Sequence, residues 1–291
     1  VIYDIRHKTT FTYEDFVSVS HHVLHLTPRE NSRQRCLDWD LSVDPVPAVD
    51  SAGADYFGNL VRYLTVQGPH ERLIVDARAR VEVLAPVEPL TSDASEPWET
   101  VRQRLVDDAS LETYEFAFDS PYSVANEDVY QYAQQSFEPG RPILAATADL
   151  TSRIFRDFEY RGGVSDVSTP VRDVFAMRKG VCQDFAHLEL ACLRSLGLAA
   201  RYVSGYLLTH PAEGKEKLVG ADASHAWVSV WAGSAGWVDF DPTNNVIPST
   251  EHITVGWGRD YGDVSPINGF IVGGGSHQVV VAVDVRPVPR P

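Results

Sequence analysis

Apolar and polar residues alternate in short runs over the first third of the chain and recur at helical spacing further on. Residues 2–13, 20–26, 37–43, 59–66 and 72–84 each read as a strand, one face apolar and the other polar. Asp44-Pro45-Val46-Pro47 and Gly68-Pro69 punctuate them as turns. These runs predict an antiparallel β domain over residues 1–90. Residues 85–99 carry Pro86, Pro89 and Pro97 and read as a linker. Helical spacing then appears at 128–135, 142–155 and 171–177.

The run 183–196 is the clearest helix, with Phe185, Leu188, Cys192, Leu193 and Leu196 on one face and Gly197 where it should stop. Residues 223–231 return to alternation, with His225, Trp227, Ser229 and Trp231 opposite Ala226, Val228 and Val230. Residues 237–241 alternate as well, and the short turn-like stretch 232–236 joins the two as an antiparallel hairpin. A last strand is expected at 278–285, returning to complete a sheet. The pattern therefore predicts an α+β chain, divided into an N-terminal antiparallel β domain (1–90) and a mixed core (91–291) that includes the C-terminal strand.

Composition sets bounds on this picture. The chain has 291 residues, 44% of them hydrophobic, enough for a substantial core in two domains. Its net charge of −15 argues against nucleic-acid binding, which needs basic surface. The three cysteines, Cys36, Cys182 and Cys192, imply no disulfide framework; a reducing, cytoplasmic setting is the expectation. No signal peptide is visible, and no apolar run approaches the length needed to span a membrane.

Candidate chemistry centres on three segments in order: Gly180-Val181-Cys182-Gln183-Asp184, Ser224-His225-Ala226-Trp227 and Trp237-Val238-Asp239-Phe240-Asp241-Pro242. A thiol, an imidazole and a carboxylate are what a Cys-His-Asp nucleophilic site needs. Cys182 falls at the helix N-terminus, where free N–H groups and the helix dipole favour a thiolate. Arg178 and Lys179 add positive charge upstream, and Gly180 leaves room for a substrate near the main chain. A buried structural thiol is the plainer reading for Cys192, ten residues further on. The hairpin brings His225 within reach of a carboxylate on the second strand. Asp239 and Asp241 share a face, so alternation does not separate them; the strand-end position before Pro242 favours Asp241.

The three segments resemble the Cys, His and Asp boxes of the transglutaminase-like superfamily of papain-related folds. More narrowly, nearly the whole chain resembles bacterial transglutaminase-like proteins with an added N-terminal β domain. The opening YDIRHKTTFTYEDFVSVSHHVLHLTPRE, the stretch LGLAARYVSGYLLT and the tail from HITVGWGRDYGD onward share in the resemblance. It implies a papain/transglutaminase-like core, with the nucleophile at a helix N-terminus and the His and Asp on adjacent antiparallel strands. It also implies Cys182 as nucleophile, His225 as base and Asp241 as orienting acid, and so settles the choice of carboxylate.

The expected activity is thiol-dependent hydrolysis of an amide bond in a peptide or protein, through a thioester and without metal or cofactor. Acyl transfer to an amine, as in a protein-glutamine transglutaminase, is the variant within that chemistry. An amidase of the peptide N-glycanase type, or a binding module that keeps the fold with an idle site, are the other possibilities. Trp227, on the His225 face, and Tyr160, upstream, are candidate substrate contacts; Tyr160 is also a candidate oxyanion donor. His187 lies five residues past Cys182, off the thiol's face, and reads as structural. His7, His21, His22 and His25 match no metal-ligand spacing and read as ordinary strand histidines. Gly273-Gly274-Gly275 reads as a flexible loop over the cleft, and the polar loop from Arg259 to Asp263 as a border of the site.

Overall fold

The computed structural model describes residues 1–85, 95–209 and 224–289. Four strands come first: β1 (Ile2–Leu24), β2 (Gln34–Asp44), β3 (Val49–Ala54) and β4 (Leu60–Val83). A helical stretch follows, with α1 (Trp98–Asp107), α2 (Leu111–Tyr114), α3 (Glu127–Gln134) and α4 (Ile143–Asp157). The short β5 (Glu159–Tyr160), α5 (Val171–Met177) and β6 (Lys179–Gly180) lead into α6 (Cys182–Ser195). Strands β7 (Ala200–Leu207), β8 (Ser224–Trp231), β9 (Trp237–Phe240) and β10 (His252–Gly258) come next. The chain then runs through α7 (Tyr261–Val264), β11 (Ile267–Gly273) and β12 (His277–Pro287).

The fold is α+β. The helices expected at 128–135, 142–155, 171–177 and 183–196 all form, within two residues of the expected ends. The N-terminal strands are longer than the pattern suggested. Residues 2–13 and 20–26 belong to one strand, β1, and 59–66 and 72–84 to one strand, β4. The two pair antiparallel along their length, with bulges between Thr12 and Val19 that absorb the polar Glu14-Asp15 interruption. Alternation within β1 is plain: Tyr3, Ile5, His7 and Thr9 are buried while the residues between them are not.

The C-terminal strands correct the division of the chain. The stretch 91–291 was expected to hold the last strand within the core. Instead β11 and β12 both pair antiparallel with β1, as in Lys8 with Ala282 and His21 with Phe270, and so extend the N-terminal sheet. Gly273, Gly274 and Gly275 form the turn between them, all with positive φ. They pack beside Phe16 and Val17 of β1, so they turn a hairpin there and do not form a loop over the cleft. Most of the expected linker at 85–99 lies outside the described residues; its end, from Trp98, is helical in α1. No helix among the described residues is long and apolar enough to cross a membrane.

The second sheet runs β10-β7-β8-β9, all antiparallel, with α6 packed across it. The two sheets share an apolar seam: Tyr3, Ile5, Val81, Val83, Val283 and Val285 of the first meet Tyr206, Ile253 and Val255 of the second. Gln34 adds register, since its amide donates to Thr254 O (2.7 Å) and accepts from Thr254 N (2.8 Å). The N-terminal histidines are absorbed into this architecture. His7 bonds Tyr206 Oη and Thr9, His21 bonds Thr65, and His25 bonds Ser265 O.

Arg194, near the end of α6, is buried and donates to the carbonyls of Phe116, Ala200 and Arg259 and to Ser120 Oγ. Burial draws its pKa down to about 10, so it stays charged at neutral pH. It ties α6 to three separate segments. R194M should therefore cost about 3–5 kcal/mol in urea denaturation, because four oxygens lose a buried donor. A loss below about 1 kcal/mol would show that water replaces the guanidinium freely.

Candidate active site

Cys182 is the first residue of α6. The helix start is fixed by Asp184, whose Oδ2 accepts from Val181 N (2.8 Å) and from Ser165 Oγ (2.5 Å). A Cβ on Gly180 would sit 2.8 Å from the Asp184 side chain. The space left by Gly180 is therefore taken by the capping carboxylate and not by a substrate, contrary to the sequence expectation. The expected charge support from Arg178 and Lys179 is also corrected. Arg178 lies over Phe175 (4.0 Å) and Phe158 (4.7 Å), and Lys179 pairs with Glu159 (3.4 Å). The backbone dipoles at the α6 N-terminus remain as the local positive field.

His225 stands on β8 and Asp241 directly follows β9. His225 Nε2 lies 2.8 Å from Asp241 Oδ2, and both residues are buried. That bond leaves the other ring nitrogen free of Asp241, and Cys182 is near enough to act on the charge of the ring. Burial pulls the His225 pKa down, but the hydrogen bonds to Asp241 and Cys182 outweigh it and hold the imidazole well above its usual value. Burial likewise opposes ionisation of Asp241, yet bonds from His225, His252 and Asn244 hold its carboxyl well below the usual range. Asp239, the alternative on the same face, instead accepts from Trp227 Nε1 (3.1 Å).

Two members of this cluster were not found from sequence. Asn244 Nδ2 donates to Asp241 Oδ2 (2.7 Å), and its backbone N–H, with that of Thr243, donates to Oδ1. His252, on β10, places Nε2 3.0 Å from the same Oδ2. Asn244 lies in the Asp-Pro-Thr-Asn-Asn segment and was there to be considered. Nothing in the local pattern marks His252, which reaches the site only through the pairing of β10 with β7. His225, Asp241 and His252 offer three metal-ligand atoms within 4.8 Å of one another. Their separations from the shared oxygen are hydrogen-bond lengths, so the cluster is a hub for orienting Asp241.

The two candidate substrate contacts part company. Tyr160 lies half exposed beside Cys182, held there because β5 pairs with β6. It lines a cleft of about 260 Å³ together with Leu207, Thr209, His225, Thr243 and Asn244. Burial and the neighbouring Cys182 raise its pKa, so its hydroxyl keeps its proton and can donate. Trp227 is fully buried at 0% exposure and does not reach that cleft; its indole packs near His252 (5.2 Å). His187 is structural as read: its Nε2 accepts from Tyr261 N, and burial lowers its pKa to about 3. The Arg259–Asp263 loop is braced by its own ion pair, and its Tyr261 N–H donates to His187.

Glu189, wholly buried on α6, adds a feature of its own. Thr151 Oγ1 contacts both Thr147 O (2.9 Å) and Glu189 Oε1 (2.6 Å). A hydroxyl has one proton, and a carbonyl only accepts, so Thr151 donates to Thr147 and the carboxyl of Glu189 donates to Thr151. Burial, aided by the charge of Asp241, raises the Glu189 pKa to about 8. A raised folded pKa gives stability that is complete below the unfolded value of 4.5 and is lost as pH rises through 8. Stability should therefore fall by about 3–5 kcal/mol between those limits, and E189Q should flatten that slope. An unchanged slope in urea titrations of E189Q would show that another group carries it.

A thiol heading a central helix, opposed by a histidine and a carboxylate on neighbouring antiparallel strands, defines the papain-like class of thiol-enzyme folds. The chain belongs to the bacterial transglutaminase-like family within it. Residues 3–82 match the bacterial transglutaminase-like N-terminal region, and residues 130–242 match the transglutaminase-like superfamily. An uncharacterized protein of Mycobacterium tuberculosis is 43% identical over 98% of this chain and 92% of its own length. A protein-glutamine gamma-glutamyltransferase of Pseudomonas aeruginosa is 39% identical over 26% of this chain and 11% of its own. The crystal structure of a candidate cysteine protease from Cytophaga hutchinsonii superposes with a TM-score of 0.80 at 21% identity, covering 100% of this chain and 91% of that one. That likeness is one of fold.

Proposed function

We propose that the protein hydrolyses an amide bond in a peptide or protein substrate, with Cys182 as nucleophile, His225 as base and Asp241 as orienting acid. The observation that carries this reading is the His225–Asp241 pair, 2.8 Å apart, with Cys182 at the head of α6 near enough to raise the imidazole pKa. His225 takes the thiol proton and Cys182 Sγ attacks the amide carbonyl carbon, forming a C–S bond. The oxyanion is met by the Cys182 backbone N–H at the head of α6 and, on this reading, by the Tyr160 hydroxyl. His225 returns its proton to the amine as the C–N bond breaks, leaving a thioester. Water, deprotonated by His225, then adds to the thioester carbon, and the C–S bond breaks to give the acid and the free thiol. The three unpaired cysteines fit a reducing compartment, which would keep Cys182 available.

A second reading keeps every step but the last: a primary amine, in place of water, attacks the thioester. The likeness to the Pseudomonas aeruginosa glutamyltransferase favours it. Incubating wild type and C182A with a peptide library, with and without a primary-amine probe, and reading products by mass spectrometry tests both. Cleavage that depends on Cys182 supports the hydrolase, and amine incorporation supports acyl transfer. Neither product from wild type across the library would count against both readings and favour a fold kept for binding.

A further inference from the structure

Asp241 is crowded with donors. It is wholly buried, and three nitrogens surround its Oδ2: Asn244 Nδ2 (2.7 Å), His225 Nε2 (2.8 Å) and His252 Nε2 (3.0 Å). Oδ1 accepts from the backbone N–H groups of Thr243 (2.9 Å) and Asn244 (3.2 Å). Residue 244 thus meets both oxygens, and its side chain makes the shortest contact of them all. The loop after β9 is built to put it there. Asp241 and Val246 bond each other's backbone in both directions, N to O at 2.9 and 3.4 Å. Between them Asn245 takes the left-handed region (φ 54°), which asparagine tolerates better than most residues. Asn244 itself is exposed, in the lining of the cleft at His225.

The Asn244 amide and the His225 ring therefore compete for one oxygen. Their nitrogens lie 3.3 Å apart, and both face a carboxylate that can only accept, so this contact is crowding at a shared acceptor. The competition bears on two duties of His225 that conflict. The ring must hold the thiol's proton, then give it to the leaving nitrogen as the C–N bond breaks and its electron pair goes to that nitrogen. A carboxylate with fewer donors is more basic and grips an imidazolium harder. A firmer grip favours the thiolate but makes a poorer acid. Against the pull of burial, Asp241 and Cys182 already raise the His225 imidazole to about 10. The other groups near the ring are Tyr160 from β5, in the same cleft, and His252 from β10, while Glu189 of α6 lies near enough to Asp241 to feel its charge. Asn244 is neutral at every pH, so its draw on the carboxylate is constant.

We propose that Asn244 is a positioning residue for this chemistry: by sharing Oδ2 it limits the hold of Asp241 on the imidazolium, so that His225 releases its proton to the leaving amine. The inference rests on the Cys182–His225–Asp241 reading of the site. N244L tests it, since leucine matches asparagine in shape, carries no donor and falls at an exposed position. The first readout is the His225 ring titration by NMR in C182A, where no thiolate complicates the curve; the signal is assigned by its loss in H225A. Adding N244L should move the midpoint up by about one pH unit, and adding D241N should move it down. The second readout is a split in rates with Cys182 present. N244L should react with iodoacetamide at pH 6 within about twofold of wild type, because departing iodide needs no proton. It should cleave library peptides about tenfold more slowly, because the departing amine does.

A midpoint that stays or falls when N244L is added to C182A, with the fold intact by circular dichroism, would overturn the proposal. So would alkylation and cleavage that drop together, the mark of a displaced histidine. Wild type that alkylates like a model thiol and cleaves nothing would overturn the catalytic reading, and this inference with it. The C182A titration separates the two failures, since it reads the effect of Asn244 on the ring without any turnover.

Discussion

Replacing His225 with alanine should slow alkylation of Cys182 by iodoacetamide at pH 6 by about 100-fold and remove Cys182-dependent turnover. The thiolate is the reacting species, and at pH 6 an unassisted thiol supplies well under one per cent of it, roughly. In this site the imidazole is the group that can hold the proton. Its pKa is lifted by Asp241 and Cys182 together, so its protonated form is favoured beside the sulfur. The other thiols do not confuse the readout, because burial raises the pKa of both Cys36 and Cys192. Mass spectrometry of the alkylated peptide locates the label. If wild-type Cys182 reacts at pH 6 no faster than a model thiol, or if H225A reacts as fast as wild type, the ion-pair reading fails.

Gly205→Ala should be the most damaging single change to the fold. Gly205 lies on β7 directly opposite His225 on β8. A Cβ there would sit 2.1 Å from Ile253 O and 2.5 Å from the Trp227 ring. Neither neighbour can yield cheaply, since one is backbone of β10 and the other is a fully buried indole. The strands must separate or Trp227 must leave the core, at a cost of about 4 kcal/mol or more. G162A is the control: its Cβ meets nothing within 4 Å, so denaturation midpoints of the two variants should differ widely. A G205A variant as stable as G162A would mean that β7 and β10 do not approach as described.

The sequence was most informative where one local periodicity dominates. α6 could be placed because its apolar face, the stop at Gly197 and the cysteine at its head agree. The β8–β9 hairpin could be placed because alternation and a short turn coincide. What stayed hidden was set by contacts distant in sequence. The bulges that let β1 continue past Glu14 and Asp15 depend on its partner β4, so the polar break looked like a strand end. His252 reaches Asp241 by sheet pairing, and no spacing rule covers 11 residues across a strand crossover. Gly180 and Arg178 were assigned to the substrate and the thiolate because both stand next to Cys182. Neighbouring side chains claimed them instead: the Asp184 cap for one, the rings of Phe158 and Phe175 for the other. Trp227 shares the strand parity of His225, yet lies deeper, under β10.

The pairing of β1 with β12 also has a bearing on when this protein can become complete. Tyr3 is matched to Pro287 and Tyr13 to His277, so one edge of β1 waits for a neighbour made more than 260 residues later. Contacts this distant in sequence slow folding and leave a strand edge open meanwhile. The same β1 supplies Tyr3 and Ile5 to the seam beneath β7 and β10, the strands that carry Gly205 and His252. A ribosome-bound chain halted before residue 277 would thus hold all three chemical groups of the site, but on a platform whose supporting sheet is unfinished. Reactivity of the thiol would then arrive late, once β12 has closed the sheet beneath it.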